Sequence, residues 1–357
     1  MQQLSLFSAS DFRTINKFPS TRYQGSKAKF VDWIWHELSY IPFNTALDAF
    51  GGTGCVAYKL KDNGKTVTYN DILPFNSIIG KAIIENNSTL LTDSDIDLIL
   101  TEHPDTHYPT FIADNFHDIY YTDEENRWID VVRHNIASIN NEYKRAIAWF
   151  ALFQSCIIKR PYNLFHRKNL YVRLSEVKRS FGNKTTWDTP FEVHFRNFAE
   201  EANNAVFDNG KTCHALQMDA LNIPGHFDLV YIDTPYINEK GVGVDYADFY
   251  HFLNGLVDYD TWAEKIDYTS KHHRLKRRYN IWTDKDNILN GFNQLIDTYK
   301  NSILAISYRS NGIPSINSLI NLLTSKNRCS EVRYSHDIKY ALSDTCSREV
   351  LIISHPQ

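Results

Sequence analysis

The sequence predicts an α/β fold, a mostly parallel sheet carrying helices and interrupted by a long, largely helical insert. Three observations predict it. Between Thr45 and Asp71 a short strand, a glycine-rich turn, a helix, a second strand and an acid follow one another. From about Gly80 to Phe207 no segment reads as a central parallel strand. After Phe207 the strand and helix alternation resumes and runs to the end.

In chain order, residues 29–40 place Phe30, Ile34 and Leu38 at helical spacing, ending before Pro42. Residues 45–50 read as a buried strand, 55–61 as the helix after the glycine turn, and 66–70 as an alternating second strand. This is the opening of a parallel βαβ unit. The insert shows helical stretches such as 140–156 between polar, aromatic-rich loops. Residues 212–218, 226–232 and 302–307 then read as strands, and 287–299 and 316–323 as helices. Residues 349–354 form a β-rich end, expected to pair as a hairpin with the segment before it. The expected organisation is a discontinuous catalytic domain (1–79 and 208–357), an inserted domain (80–207), and a shorter insertion (237–285) on the catalytic face.

The 357 residues, 43% hydrophobic and 22% charged, suit a globular chain with a sizeable core, and most of the 21 Tyr, 21 Phe and 7 Trp are expected to pack it. A net charge of −4 excludes a uniformly basic nucleic-acid binder but permits a local positive face. Five scattered cysteines (Cys55, Cys156, Cys213, Cys329, Cys346) argue against a disulfide framework and against a zinc site, and no metal is expected. No apolar run has the length of a membrane span, and Met1-Gln2-Gln3-Leu4 lacks a signal-peptide pattern, so an intracellular protein with no membrane partner is expected.

Asp48-Ala49-Phe50-Gly51-Gly52-Thr53-Gly54 ends the first strand and opens a helix. Glycines there let a ligand approach the backbone, and an acid at the strand end can hold an ammonium group. That pairing suits the methionine part of S-adenosylmethionine better than a pyrophosphate, which the acid would repel. Alone, the turn would equally serve a tight βα connection without ligand. Asp71 ends the second strand, where nucleotide-binding sheets place an acid for ribose hydroxyls, though Asp is also a common cap or turn residue.

Residues 227–232 deliver Asp233-Thr234-Pro235-Tyr236 at a strand's carboxyl end, the ligand face of an open α/β sheet. The exocyclic amine of adenine is a poor nucleophile because its lone pair is delocalised into the ring. Two acceptors aimed at that amine, the Asp233 carboxylate and the Thr234 carbonyl, would favour a nucleophilic nitrogen and stabilise the charge developing on it. Pro235 would stiffen the turn, and Tyr236 offers a face for a flipped base. In isolation the tetrapeptide would pass for a turn.

Taken in order, Arg22-Tyr23-Gln24-Gly25-Ser26-Lys27, the Asp48-to-Gly54 loop, Asp71, Met218-Asp219-Ala220 and Asp233-Thr234-Pro235-Tyr236 resemble the Dam-like (alpha motif order) family of adenine-N6 DNA methyltransferases. The similarity covers the catalytic sheet on both sides of the insert. It implies a class I S-adenosylmethionine-dependent methyltransferase fold, Rossmann-like with a mostly parallel seven-stranded sheet. By the same resemblance Tyr23, Lys27, Asp48, Phe50, Gly52, Thr53, Gly54, Asp71 and Asp219 bind S-adenosylmethionine, and Asp233 to Tyr236 bind the target base. One position departs: the family's tetrapeptide has proline at both middle positions, and here the first is Thr234. The carbonyl that matters is main-chain, so the role survives the exchange.

Double-stranded DNA is the partner this implies, with the protein in the cytoplasm, associated with the nucleoid through DNA, and a separately acting restriction endonuclease as a companion. The densest basic run, containing Lys271, Arg274, Lys276, Arg277 and Arg278, lies between the catalytic turn and the next strand and suits phosphate contact, although such runs also form solvated helix faces. A second cluster, Lys159-Arg160-Pro161-Tyr162-Asn163-Leu164-Phe165-His166-Arg167-Lys168-Asn169, followed by Arg173, Lys178 and Arg179, interleaves basic and aromatic residues. It suits a loop that reads base edges or fills the gap left by a flipped base, with Lys159, Arg160, Arg167 and Lys168 as contacts. A cytosine-N4 enzyme typically carries Ser where Asp233 stands, and an RNA adenine enzyme Asn. A silent DNA-binding protein of the same fold has Thr234 as its only support. A Rossmann oxidoreductase is disfavoured because position 57 is Ala.

Overall fold

The computed structural model describes residues 17–176, 184–335 and 348–357, so Lys178, Arg179 and Cys346 lie outside the described residues. Seven strands form one sheet: β1 (Thr45–Asp48), β2 (Thr66–Asn70), β3 (His214–Leu216), β4 (Leu229–Ile232), β5 (Ile303–Arg309), β6 (Arg328–Tyr334) and β7 (Glu349–Pro356). Their order across the sheet is β3-β2-β1-β4-β5-β7-β6. The first five run parallel, and β7 pairs antiparallel with both β5 and β6, which is the terminal hairpin expected from the sequence.

Side-chain alternation explains why both faces are covered. Ala46, Leu229, Tyr231, Ala305 and Leu351 point into one buried cluster, and their neighbours Leu47, Val230, Ile232, Leu304 and Val350 into another. A strand buried on both sides reads as an unbroken apolar run, and β4 (Leu-Val-Tyr-Ile, wholly buried) is one. β3 and β4 are shorter than the sequence suggests. Before β4 the chain gives a side chain to the sheet instead, since the Asp228 carboxylate accepts the N–H groups of Asn44 and Thr45 at 2.8 and 2.9 Å.

The second cluster is closed by α8 (Ile288–Thr298) and α9 (Ile316–Ser325), and the first by α1 (Val31–Leu38), α2 (Cys55–Asp62), α3 (Pro74–Gly80) and the insert. Within the insert, α4 (Asp123–Ala137), α5 (Glu142–Ile158) and α6 (Phe191–Ala205) carry most of the packing. Every residue of α5 from Ala146 to Ile158 is buried, as expected of a helix that is apolar all round. The apolar side chains of the insert join the same cluster as the sheet, as do Phe252 and Trp262 from the 237–285 segment, where α7 (His251–Val257) lies. No helix among the described residues is long and apolar enough to cross a membrane.

One expectation is corrected here. Lys159 and Arg160 are 2% and 1% exposed and face inward rather than toward a partner. Glu125, which caps α4 together with Thr122, lies 2.9 Å from Lys159 and accepts Arg173 on both oxygens at 2.7 and 2.8 Å. Arg160 lies over the Tyr120 ring at 4.3 Å and donates to the Tyr120 carbonyl at 3.0 Å. Positive charge in a sequence says nothing of which side of the backbone it serves, and here it staples the base of a loop.

Removing Glu125 would strand two buried cations. Glu125→Ala is expected to destabilise the fold by about 3–5 kcal/mol, read as a lowered denaturant midpoint, whereas Lys168→Ala, at an exposed pair with Asp118, should change it by less than about 1 kcal/mol.

Candidate active site

The parallel register gathers the acids. Asp48 stands opposite Tyr69 of β2 and Tyr231 of β4, so Asp71 and Asp233 each emerge two residues beyond, at the same carboxyl edge. Asn70 draws the segment after β3 alongside, donating to the Met218 carbonyl at 3.0 Å and accepting the Met218 N–H at 2.9 Å. A cavity of about 780 Å³ opens there. Its wall takes in Tyr23, Lys27, Asp48, Phe50, Gly52, Thr53, Asp71, Asp219 and all four residues from Asp233 to Tyr236. Gly54 is set back from it, as the left-handed N-cap of α2 (φ 78°). Lys276, Arg277 and Arg278 also line the cavity, whereas Lys271, Arg274, Arg167 and Lys168 do not. Arg277 pairs with Asp248 at 2.6 Å and Arg274 with Asp267 at 3.1 Å.

Tyr69 shapes the glycine turn. Its hydroxyl donates to the Gly52 carbonyl at 2.7 Å, and a Cβ added to Gly51 would fall 2.0 Å from its ring. The turn is tied to β2 as well, through Gly51 N–H to the Asn70 carbonyl at 2.8 Å and Gly52 N–H to Asp71 at 2.9 Å. Asp71 also accepts from the Leu73 N–H and the Asn76 amide, and burial raises its pKa to about 6 against these donors. Asp48 differs. One oxygen accepts the Ala57 N–H at 3.2 Å, and the other is buried with no hydrogen-bond partner among the described residues. Burial, then the nearby Asp233 charge, pushes its pKa up to about 8. A buried acid with an unused oxygen is suited to a cation, so the wall fits the ammonium end of S-adenosylmethionine.

At the catalytic turn, Asp233 Oδ1 accepts the Tyr236 hydroxyl at 2.9 Å and lies 2.9 Å from Lys27 Nζ. Neither Asp233 Oδ2 nor the Thr234 carbonyl takes a hydrogen bond from another described residue. Burial raises the Asp233 pKa to about 6, with Lys27 opposing and Glu349 adding to the rise. Burial also works to lower the Lys27 pKa, but Asp233 and Glu349 outweigh it and hold the amine charged. Thr234 is 2% exposed, so the residue that replaces proline is packed rather than loose. The Tyr236 ring is less open than the sequence suggests, with Lys27 Nζ 4.6 Å from its centroid and the edge of Tyr308 against it at 5.3 Å.

Five participants escaped the sequence reading. Glu349, wholly buried on β7, accepts the Tyr236 hydroxyl at 2.8 Å; its sequence signal was an acid beginning an otherwise apolar strand. Ile72, 61% exposed directly after Asp71, is an apolar side chain on the cavity wall. Tyr246 stacks on Tyr23 at 5.3 Å, and Tyr250 covers the ring's other neighbour position at 4.6 Å. Trp282 meets Phe50 edge-on at 5.1 Å. Nothing local in the sequence marks the last two. Among the described residues no cluster of His, Cys, Asp or Glu is placed to hold a metal ion.

The family model of D12 class N6 adenine-specific DNA methyltransferases matches residues 23–310. The chain belongs to that family. It is accordingly an adenine-N6 DNA methyltransferase with S-adenosylmethionine as methyl donor. The methyltransferase is 33% identical over 248 residues to Type II methyltransferase M2.HphI of Haemophilus parahaemolyticus, covering 68% of this chain and 72% of that one. It is 25% identical over 313 residues to Type II methyltransferase M.NlaIII of Neisseria lactamica, covering 82% and 85%. Among solved structures, the rRNA methyltransferase aviRa from Streptomyces viridochromogenes aligns over 94% of this chain and 87% of that one at 11% identity, with a TM-score of 0.29.

The contact between Gly51 and Tyr69 gives a direct test of the turn. Gly51→Ala is expected to destabilise the methyltransferase by about 1–3 kcal/mol through overpacking, measured by denaturant unfolding, and to weaken cofactor binding in proportion to the displaced turn.

Proposed function

We propose that the methyltransferase acts on an adenine flipped out of duplex DNA, whose N6 amine donates its two hydrogens to Asp233 Oδ2 and the Thr234 carbonyl. The observation that carries this reading is that Asp233 and Thr234 both line the cavity and that neither Asp233 Oδ2 nor the Thr234 carbonyl has a hydrogen-bond donor among the described residues, while Asp233 Oδ1 is already held by Lys27 and Tyr236. Acceptors fixed in advance stabilise the charge that grows on nitrogen without reorganising at the moment of reaction. S-Adenosylmethionine supplies an electrophilic methyl group when bound. Asp48 would hold its ammonium group, Asp71 and Asp219 its hydroxyl and base ends, and Ile72 and Phe50 its apolar surfaces. Tyr236 would carry the target base on its remaining face.

DNA would approach over the basic side of the cavity, with Arg278 and Lys276 exposed toward it and Arg277 held by Asp248. Lys271 and Arg274 belong to the same hairpin-like segment, which is closed by a bridge between Ile266 and Leu275. In the insert, the loop stapled by Lys159 and Arg160 turns at Tyr162 and Asn163, both left-handed (φ 62° and 58°), and holds Tyr162 55% exposed. A rigidly based loop with an exposed ring at its tip, and with Arg167 and Lys168 beside it, suits insertion into the duplex at the vacated position. Its M2.HphI and M.NlaIII relatives are Type II methyltransferases, which supports a modification enzyme working beside a separate endonuclease.

The chemistry is tested by transfer of labelled methyl to duplex DNA with nucleoside analysis of the product, which should be N6-methyladenine and not N4-methylcytosine. Asp233→Ala should lower kcat by about 10²–10³ or more. Asp233 must be ionised to accept, so kcat/KM for DNA, with cofactor saturating, should fall as pH drops through about 6 and level off above it. A flat acid limb would overturn the assignment.

Asp48 gives a second, calorimetric test. With a pKa near 8 it is mostly protonated at neutral pH in the free protein, and an ammonium ion beside it favours the ionised form. Cofactor binding at pH 7 is therefore expected to release protons, seen as binding enthalpy that depends on the buffer's ionisation enthalpy. Asp48→Asn should abolish that dependence and weaken binding by about 10- to 100-fold.

A further inference from the structure

We propose that Glu349, on the last strand, is a positioning residue for methyl transfer: it fixes Tyr236 and Lys27 so that they occupy one oxygen of Asp233 and leave the other for the target amine. The proposal rests on the reading of Asp233 as the amine's acceptor. Glu349 Oε1 accepts the Tyr236 hydroxyl at 2.8 Å and the Ser307 hydroxyl at 2.7 Å, and lies 3.4 Å from Lys27 Nζ. The same Tyr236 hydroxyl lies 2.9 Å from Asp233 Oδ1, so its one hydrogen is shared between the two carboxylates, and Lys27 Nζ lies 2.9 Å from that oxygen as well. A single carboxylate thus grips from behind the two side chains that hold the catalytic one.

Its backbone is pinned too. The Glu349 N–H donates to the Ser335 hydroxyl at 3.1 Å, and its carbonyl accepts the Ser335 N–H at 2.9 Å. The antiparallel return of β7 beside β5 sets Glu349 opposite Arg309 and next to the end of the catalytic strand's neighbour. The sheet has no structural need of a charge there, since Val350 to Ile353 satisfy its packing with apolar side chains. A buried carboxylate is unfavourable unless its charge is used. Here it faces Lys27, and through Lys27 and Tyr236 it acts on Asp233.

Glu349 also tunes Asp233. Among the described residues, the groups facing Asp233 are Lys27, Glu349, Tyr236, Tyr231, Tyr246, Asp48 and Cys55, of which Lys27 is the cation. The negative charge of Glu349 favours the protonated form of Asp233. Glu349→Gln keeps an oxygen that accepts from Tyr236 and Ser307 but removes that charge, so Asp233 should ionise at lower pH.

The experiment compares wild-type chain and Glu349→Gln in kcat/KM for duplex DNA at saturating cofactor, across about pH 5 to 9. The expected result is an acid limb moved down by about one pH unit, with kcat at neutral pH lowered about tenfold, KM for DNA within about twofold, and an unchanged melting temperature. An acid limb and kcat equal to wild type would overturn the proposal while leaving the Asp233 assignment intact. Absence of an acid limb in wild type would instead overturn the Asp233 assignment, and the proposal with it. Should Glu349→Gln melt early, Ser307→Ala takes its place. It removes one restraint on the carboxylate, and a kcat loss of several-fold at constant KM supports the proposal, whereas unaltered kcat overturns it.

Discussion

The site depends on crowding largely buried carboxylates around one cavity. Asp48, Asp71, Asp233 and Glu349 are all buried or nearly so around one end of the sheet, and Lys27 is the cation placed among them. Desolvation disfavours the charged forms of Asp48, Asp71 and Asp233, and at Asp48 and Asp233 a nearby like charge disfavours them further. The protein answers with donors that differ from one acid to the next. Asp71 receives three N–H groups, Asp233 a lysine, Glu349 the Ser307 hydroxyl and the same lysine at longer range, and Asp233 and Glu349 share the one hydrogen of the Tyr236 phenol. Asp48 receives the Ala57 N–H, also faces the Phe50 N–H, and keeps Oδ1 buried without a well-formed hydrogen bond among the described residues. The acids are thus provided for unequally.

Topology makes this crowding achievable. Parallel strands end at one edge, so acids that are remote in sequence arrive together without any of them being on a long loop. The two elements that complete the site come from elsewhere. Lys27 reaches in from a short helical turn before α1, held there by Tyr23 stacked against Tyr246 and Tyr250 and by the Gln24 N–H donating to the Tyr250 hydroxyl at 2.8 Å. Glu349 comes from the strand that reverses direction. The beginning and end of the described chain therefore meet behind the catalytic tetrapeptide.

What was legible in the sequence follows from which interactions are local. A buried parallel strand must be apolar and must stop where its chemistry begins, so Asp48 and Asp233 were visible as acids after apolar runs, and Asp71 as the acid that ends an alternating strand. The strand and helix alternation and the apolar run at 349–354 made the rest of the sheet visible. Glu349 was passed over because its partners, Tyr236, Ser307 and Lys27, come together only through strand pairing and the packing of the amino-terminal turn. Lys159 and Arg160 were misassigned for the converse reason. Their charge was visible, but the compensating Glu125 and the carbonyl of Tyr120 lie on a neighbouring segment that sequence spacing does not bring near. Thr234 departs from the motif, yet it is buried, and its carbonyl takes no hydrogen bond from another described residue.

The same carboxylates give the fold a pH dependence opposite to that of a surface ion pair. Asp48 titrates near 8 in the folded protein, and Asp71 and Asp233 near 6, all above the roughly 4 of an unfolded chain. The folded state then binds more protons than the unfolded one, so stability is greatest below about pH 4 on this account and declines as pH rises through each folded value. At neutral pH the decline from Asp71 and Asp233 is largely complete, while Asp48 still holds its proton in most molecules. A cation arriving beside Asp48 reverses its part of that loss, because the ionised acid is then favoured by what it holds. The burial that disfavours charge on Asp48 is therefore the same feature that a cation beside it would offset.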